Sequence, residues 1–244
     1  FAQQFPDQIP GARLAASPAL ELRVSLNQLL GEHTMLSVEA MRGAADGRAD
    51  ADAARNALDA NSADLSQAIA GIYGEDNGEA FQELWDHHVV AYLDYIAAIQ
   101  TGDEGTRDAA RESVLDVSEL SAFLAAAVPG LDGAAVESLV LEHARHLIGQ
   151  VDAYEARDYS MAYTTGREAF LHSQTISDVL SIAIAQQFPD IFPPLPDSSV
   201  IGRSPGAEAH AALDPSTLTA IFSMVGLLAA TIAGLGYLRR RRLT

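Results

Sequence analysis

The chain of 244 residues contains no cysteine. Disulfides, thiolate-ligated metal centres and c-type haem attachment are therefore excluded. Lysine is absent too, so arginine supplies all 15 basic residues against 33 acidic ones, a net charge of −18. The charge is uneven: residues 1–192 hold 30 acids against 10 arginines, and the remainder holds 3 against 5. An acidic domain repels nucleic acid and attracts cations or basic partners, so we expect no nucleic-acid partner.

Aromatic residues are few, at 7%, and runs of β-branched residues are scarce, whereas alanine is abundant. This composition favours helices over strands. The sequence also lacks a glycine-rich phosphate loop, a GxSxG motif and an HExxH motif. We therefore assign no catalytic residue, and an enzyme is the least favoured class of function.

A repeat of 55 residues organises the chain, and it is most visible at three histidines, His33, His88 and His143. The segments that precede them, SLNQLLGEH, AFQELWDHH and AVESLVLEH, resemble one another. Further matches follow in each unit at DLSQAI, ELSAFL and TISDVL, and the units close with IYG, VPG and FPD. Two equal spacings with matching flanks indicate a repeated structural unit.

Each unit predicts a helical hairpin. In the first, apolar residues before and after a polar turn, residues 46–50, recur every three or four positions, as they do on one face of a helix. The second unit turns at residues 101–105 and the third near Arg157 and Asp158. We therefore predict an all-α domain over residues 22–192, in which three hairpins form a six-helix bundle or a short array.

The repeated histidines lie on the apolar face of each outgoing helix, and their neighbours Glu32, His87 and Glu142 fall at its edge or outside it. Counting back from the turns sets each histidine opposite a polar residue of its own return helix, namely Asn61, Asp116 or His172. One interpretation is three separate hydrogen-bonded pairs, which would satisfy buried polar groups and fix the register. The alternative is that five of these side chains converge on a first-row transition metal such as Zn, Cu or Fe. The predicted metal ligands are His33, His88, His143, Asp116 and His172.

The C-terminal part predicts a membrane anchor. Residues 217–238 contain no charged residue and are long enough to cross a bilayer, and an arginine-rich tail, residues 239–244, follows. The positive-inside rule then predicts a single-pass protein of the cell membrane, with its C-terminus in the cytoplasm and its N-terminal domain outside. A proline-rich tether, residues 193–216, would link domain and anchor, and residues 1–21 would form an N-terminal extension.

A bacterial sorting signal is the competing interpretation of this end of the chain. Such signals also combine a short motif, an apolar helix and an arginine cluster, and they are cut during export. The nearest motif here, LPDSS at residues 195–199, departs from the LPxTG pattern. We therefore favour the retained anchor.

The segments LLGEHTMLS, LWDHHVVAY and IAQQFPDIF resemble an uncharacterised family of secreted bacterial helical proteins, common in bacilli, whose units read like LWxEHVxLT. The resemblance covers roughly residues 22–192. His87 departs from the acidic residue that the family pattern has before the second histidine. The resemblance implies a helical fold and export but no activity.

Together with the predicted anchor, the resemblance favours an extracytoplasmic interaction or structural protein, such as an accessory subunit of a membrane assembly. Its partners would be the lipid bilayer and other proteins. A metal-binding bundle is the alternative function.

Overall fold

The computed structural model describes residues 17–193, and every regular element in this part of the chain is an α-helix. The all-α prediction is therefore confirmed for this range. The helices are α1 Pro18–Ala45, α2 Ala51–Tyr73, α3 Glu75–Thr101, α4 Glu104–Leu115, α5 Ser118–Ala127, α6 Gly133–Glu155 and α7 Tyr159–Gln187. The three predicted turns lie between α1 and α2, between α3 and α4, and between α6 and α7.

Local sequence sets the ends of these helices. Ser17 accepts a hydrogen bond from the backbone N–H of Leu20 and is followed by proline in the first turn of α1, an arrangement that stabilises a helix start. Asp103, Asp132 and Asp158 cap α4, α6 and α7 in the same way. At the other end of α3, Gly102 adopts a φ of 70°, a left-handed conformation that glycine reaches without strain.

Six helices were predicted, but the described chain has seven, because the return helix of the second hairpin is broken. Helix α4 ends at Leu115 and α5 starts at Ser118. Asp116 at the break accepts hydrogen bonds from the backbone N–H and the hydroxyl of Ser118. A side chain that binds the backbone two residues ahead competes with the helical pattern, which explains why the helix stops here. In the first and third hairpins the return helices, α2 and α7, are continuous.

The helices pack in a closed circuit rather than an open array. Each hairpin contacts the next, α2 against α3 and α5 against α6, and α7 returns to pack against α1. The outgoing helices α1, α3 and α6 also make direct contacts, α1 with both of the others. Their inward faces carry the main core, which includes Trp85, Tyr92 and Leu147. The bundle form of the prediction is therefore the one observed.

Polar contacts secure the closure between α1 and α7. The guanidinium of Arg23 donates two hydrogen bonds of 2.6 Å to the carboxylate of Asp178, and the Ser177 hydroxyl donates to the carbonyl of Leu26 at 3.1 Å. These contacts join residues about 150 positions apart. They hold the first repeat against the last, so the three outgoing helices are kept side by side.

No helix within residues 17–193 combines the length and apolarity that a membrane crossing requires. The predicted anchor, residues 217–238, lies outside the described part of the chain. The predicted tether, apart from its first residue, and the arginine-rich tail lie outside it as well. Helix α1 begins at Pro18, a few residues inside the segment predicted to be an N-terminal extension.

Candidate metal centre

The closed circuit brings the three repeat histidines to one point in the core. His33 lies on α1, His88 on α3 and His143 on α6, and the side chains are 2%, 9% and 4% exposed. Because the outgoing helices are parallel and the repeats are equal in length, the three imidazoles lie at the same height. We call His33, His88 and His143 the histidine triad.

The geometry of the triad suits a metal ion. Ring centroids are 5.7 to 6.2 Å apart. One nitrogen from each ring can be chosen so that all three lie within 4.8 Å of one another. Zn–N bonds of about 2.0–2.1 Å in a tetrahedral site set ligand nitrogens about 3.3 Å apart, so each ring would have to move inward by less than about 1 Å. Rotation about the side-chain torsions can supply a shift of this size.

Several triad nitrogens lack a protein hydrogen-bond partner. Both ring nitrogens of His33 and Nδ1 of His143 are buried without one among residues 17–193. Buried polar atoms in folded proteins are nearly always bonded, and each exception calls for an explanation such as an ion or an ordered water. A cation at the centre of the triad would accept a lone pair from one nitrogen of each ring.

Burial keeps the imidazoles uncharged. Loss of hydration lowers the pKa of His33 to about 3, with a smaller contribution from the neighbouring His88. The same cause lowers the pKa of His88 to about 4. Burial also lowers the pKa of His143 well below its usual range, and proximity to the other imidazoles adds to the effect. At neutral pH all three rings are therefore neutral, which is the form of histidine that binds metals.

An aromatic side chain, Trp85, packs against two members of the triad. The Trp85 ring packs edge-on against His33, with centroids 4.8 Å apart, and lies 5.6 Å from His88. Trp85 is the only tryptophan of the chain and stacks on Phe81. The short distance between Trp85 and His33 makes the indole a reporter of the site. An apolar shell of this kind restricts water and strengthens electrostatic interactions within it.

The structure does not form the three His–polar pairs that the hairpin register suggests. The Asn61 amide donates to the carbonyl of Leu29 at 3.1 Å and to Glu32 at 3.2 Å. His172 Nε2 lies 2.9 Å from the carbonyl of Leu139. Leu29 and Leu139 are equivalent in the repeat, each four residues before a triad histidine. Asn61 and His172 therefore face the outgoing helix about one helical turn away from the imidazoles. Counting residues back from the turns does not predict this displacement along the helix.

Two of the five predicted ligands consequently lie outside the triad. Asp116 is exposed at the break between α4 and α5, where its bonds to Ser118 hold it and keep its pKa low. The His172 ring pairs with His146, with centroids 5.4 Å apart, and burial lowers its pKa. Glu32 and His87 are exposed, as predicted for residues off the apolar face.

A cleft opens beside the triad at the broken helix. It has a volume of about 290 Å³ and lies between α3 and the junction of α4 with α5. His88 lines it, as do Leu84 and Ala91 on the same helix. The carboxylates of Asp94, Asp116 and Glu119 lie along it. The helix break that forms this cleft gave no signal in the apolar periodicity of the sequence. The Asp-Val-Ser segment at the break is nevertheless a pattern that favours a turn, because the Asp116 carboxylate can accept from the backbone two residues ahead.

Comparison of the chain with models of known protein families, with curated proteins and with solved structures gave no match.

Proposed function

We propose that this domain binds one first-row transition metal ion through His33, His88 and His143. The observation that carries the proposal is the convergence of three neutral, buried imidazoles whose ligand atoms lie within 4.8 Å of one another. Imidazole ligands without thiolates suit Zn, Cu, Ni and Fe. Within the described residues, no Asp, Glu or further His joins the group. A metal held by three histidines keeps a fourth position for water, as open zinc sites do.

Metal analysis of wild type and two matched variants tests this proposal. The full-length, tag-free protein, stripped with a chelator and incubated with Zn²⁺ before gel filtration, should retain about one ion per chain. His88→Leu keeps the volume of the side chain in the core but removes a ligand, so its metal content should fall to near zero. His87→Ala removes the exposed imidazole at the preceding position and should retain the metal content of the wild type. Equal metal in all three proteins would contradict the proposal, because the ion would then lie elsewhere on the acidic surface.

We also propose that the chain is anchored in the cell membrane, with the helical domain outside and acting as an interaction module or accessory subunit. What supports this is the uncharged stretch at residues 217–238, followed by Arg239, Arg240, Arg241 and Arg242. The acidic charge of residues 1–192 also favours distance from anionic lipid head groups.

Protease added to intact cells tests this topology. Digestion should remove epitopes within residues 17–193 and leave a membrane-bound fragment that carries the C-terminus, because only the domain is accessible from outside. A cytoplasmic protein followed in the same cells controls for lysis. Protection of the domain until the cells are permeabilised would contradict the proposed orientation.

A further inference from the structure

The second hairpin lacks a contact that the other two hairpins make close to the triad, between the return helix and the outgoing helix. In the first hairpin the Asn61 amide binds the carbonyl of Leu29, and in the third His172 binds the carbonyl of Leu139. The equivalent pair in the second hairpin would be Asp116 and Leu84. It does not form, because the carboxylate of Asp116 has no hydrogen to donate to a carbonyl; Asp116 instead accepts hydrogen bonds from Ser118 at the helix break. The 290 Å³ cleft lies where this contact is missing, and both residues line it.

The cleft reaches one member of the triad. His88 lines the cleft and is still more than nine-tenths buried. His33 and His143 are more deeply buried and do not line the cleft. An ion that moves from solvent through the cleft toward the triad therefore reaches His88 before His33 or His143.

The charge of the cleft selects cations. Asp94, Asp116 and Glu119 contribute three carboxylates, and no Arg is among the lining residues. All three acids are exposed, so their side chains remain hydrated. A cleft lined by one sign of charge raises the local concentration of oppositely charged ions and their association rate. The cleft, at about 290 Å³, is far larger than the space that one water molecule needs, so a hydrated divalent ion can enter and exchange water for protein ligands.

We propose that the cleft between α3 and the α4–α5 junction is the entry route by which a divalent transition-metal ion reaches the histidine triad. Asp94, Asp116 and Glu119 collect the hydrated ion at the mouth of the cleft, where the exposed His87 also lies, and His88 is the first member of the triad that the ion reaches. The inference rests on the proposed metal site and adds its route of loading. Asp116 thus acts on the path of the metal, rather than as a ligand of the bound ion.

Stopped-flow binding of Co²⁺, followed by the fluorescence of Trp85, tests the route on the full-length protein in mild detergent. A paramagnetic ion bound to His33 would lie close to the indole and quench it. The variant Asp94→Asn, Asp116→Asn, Glu119→Gln should lower the association rate about tenfold at low ionic strength. The control variant Asp52→Asn, Asp64→Asn, Glu155→Gln changes the net charge equally at exposed positions away from the cleft and should bind at nearly the wild-type rate.

A steric variant separates the route from a general charge effect. Ala91 lines the cleft one turn after His88, and Ala91→Phe should fill it. Association and dissociation rates should then both fall about tenfold, with the dissociation constant almost unchanged, because a blocked path slows entry and exit alike. Ala97→Phe, at an exposed position of the same helix, is the control. If Ala91→Phe does not fold, judged by circular dichroism, the charge variant still decides.

The outcomes distinguish this inference from the proposed function. Quenching at wild-type rates in both cleft variants would overturn the entry route while leaving the metal site intact, and would point to entry by local opening of the bundle. A wild-type protein that shows neither quenching nor bound Co²⁺ would overturn both the site and the route.

Discussion

Between pH 6.5 and pH 5 the metal-free protein should lose about 5 kcal/mol of its free energy of unfolding. The cause is the histidine triad. In the unfolded chain each imidazole takes up a proton near pH 6.5, whereas in the folded domain the pKa is about 3 for His33, about 4 for His88 and well below the usual range for His143. Below pH 6.5 the unfolded state therefore binds more protons than the folded state, so stability falls with pH. Each imidazole contributes roughly 1–2 kcal/mol over this interval.

The loss should continue toward pH 4, where His88 begins to titrate in the folded state. Since domains are typically stable by only about 5–15 kcal/mol, acid unfolding is expected between pH 5 and pH 4. Lowering the pH also neutralises carboxylates of the acidic surface, which relieves their mutual repulsion. That effect acts in the opposite direction and does not imitate the loss.

Urea unfolding followed by circular dichroism, in chelator and at several pH values, measures this dependence. His88→Leu removes one of the three titrating groups, so its loss over the same interval should be about two thirds of the wild-type loss. His87→Ala should follow the wild-type curve, because the imidazole it removes is exposed in the folded state. A stability that stays constant from pH 6.5 to pH 5 would show that the folded triad accepts protons near the ordinary pKa, and would contradict the burial seen here.

At neutral pH, zinc should raise the melting temperature of the metal-free protein by about 8–16 °C. A ligand at 1,000 times its dissociation constant stabilises the folded state by about 4.1 kcal/mol. For domains of about 150–250 residues, each kcal/mol corresponds to roughly 2–4 °C. The triad exists only in the folded bundle, because its members come from three helices 55 and 110 residues apart, so the ion has far less affinity for the unfolded chain.

Thermal unfolding of the same variants with and without Zn²⁺ separates the triad from other sites. His88→Leu should show almost no shift, and His87→Ala should show the full one. A full shift in His88→Leu would place the ion among the surface carboxylates and contradict the triad as the site.

Much of the local structure could be predicted from the sequence. The 55-residue period, the apolar face of each helix and the polar turns predict three helical hairpins, and all three turns are observed. The same pattern placed His33, His88 and His143 on the buried faces. These features depend on residues close together in the chain, where helical periodicity and turn chemistry decide the outcome.

The α4–α5 break was harder to predict, because apolar periodicity continues through it and only the side-chain bonds of Asp116 interrupt the helix. The prediction that Asp116 and His172 meet the histidines assumed untwisted hairpins with symmetric registers. Packing instead moves the return residues by about one helical turn, so that Asn61 and His172 reach backbone carbonyls four residues before His33 and His143.

The sequence by itself determined that each repeat carries one inward-facing histidine at an equivalent height. It did not determine whether the three would meet, because a repeated hairpin can stack into an open array or close into a bundle, and both have the same helical period. The tertiary structure decided this by packing α7 against α1, where contacts such as that between Arg23 and Asp178 join residues 155 positions apart. Closure turns the three helix faces toward one axis, and three separate buried histidines thereby become one candidate metal site.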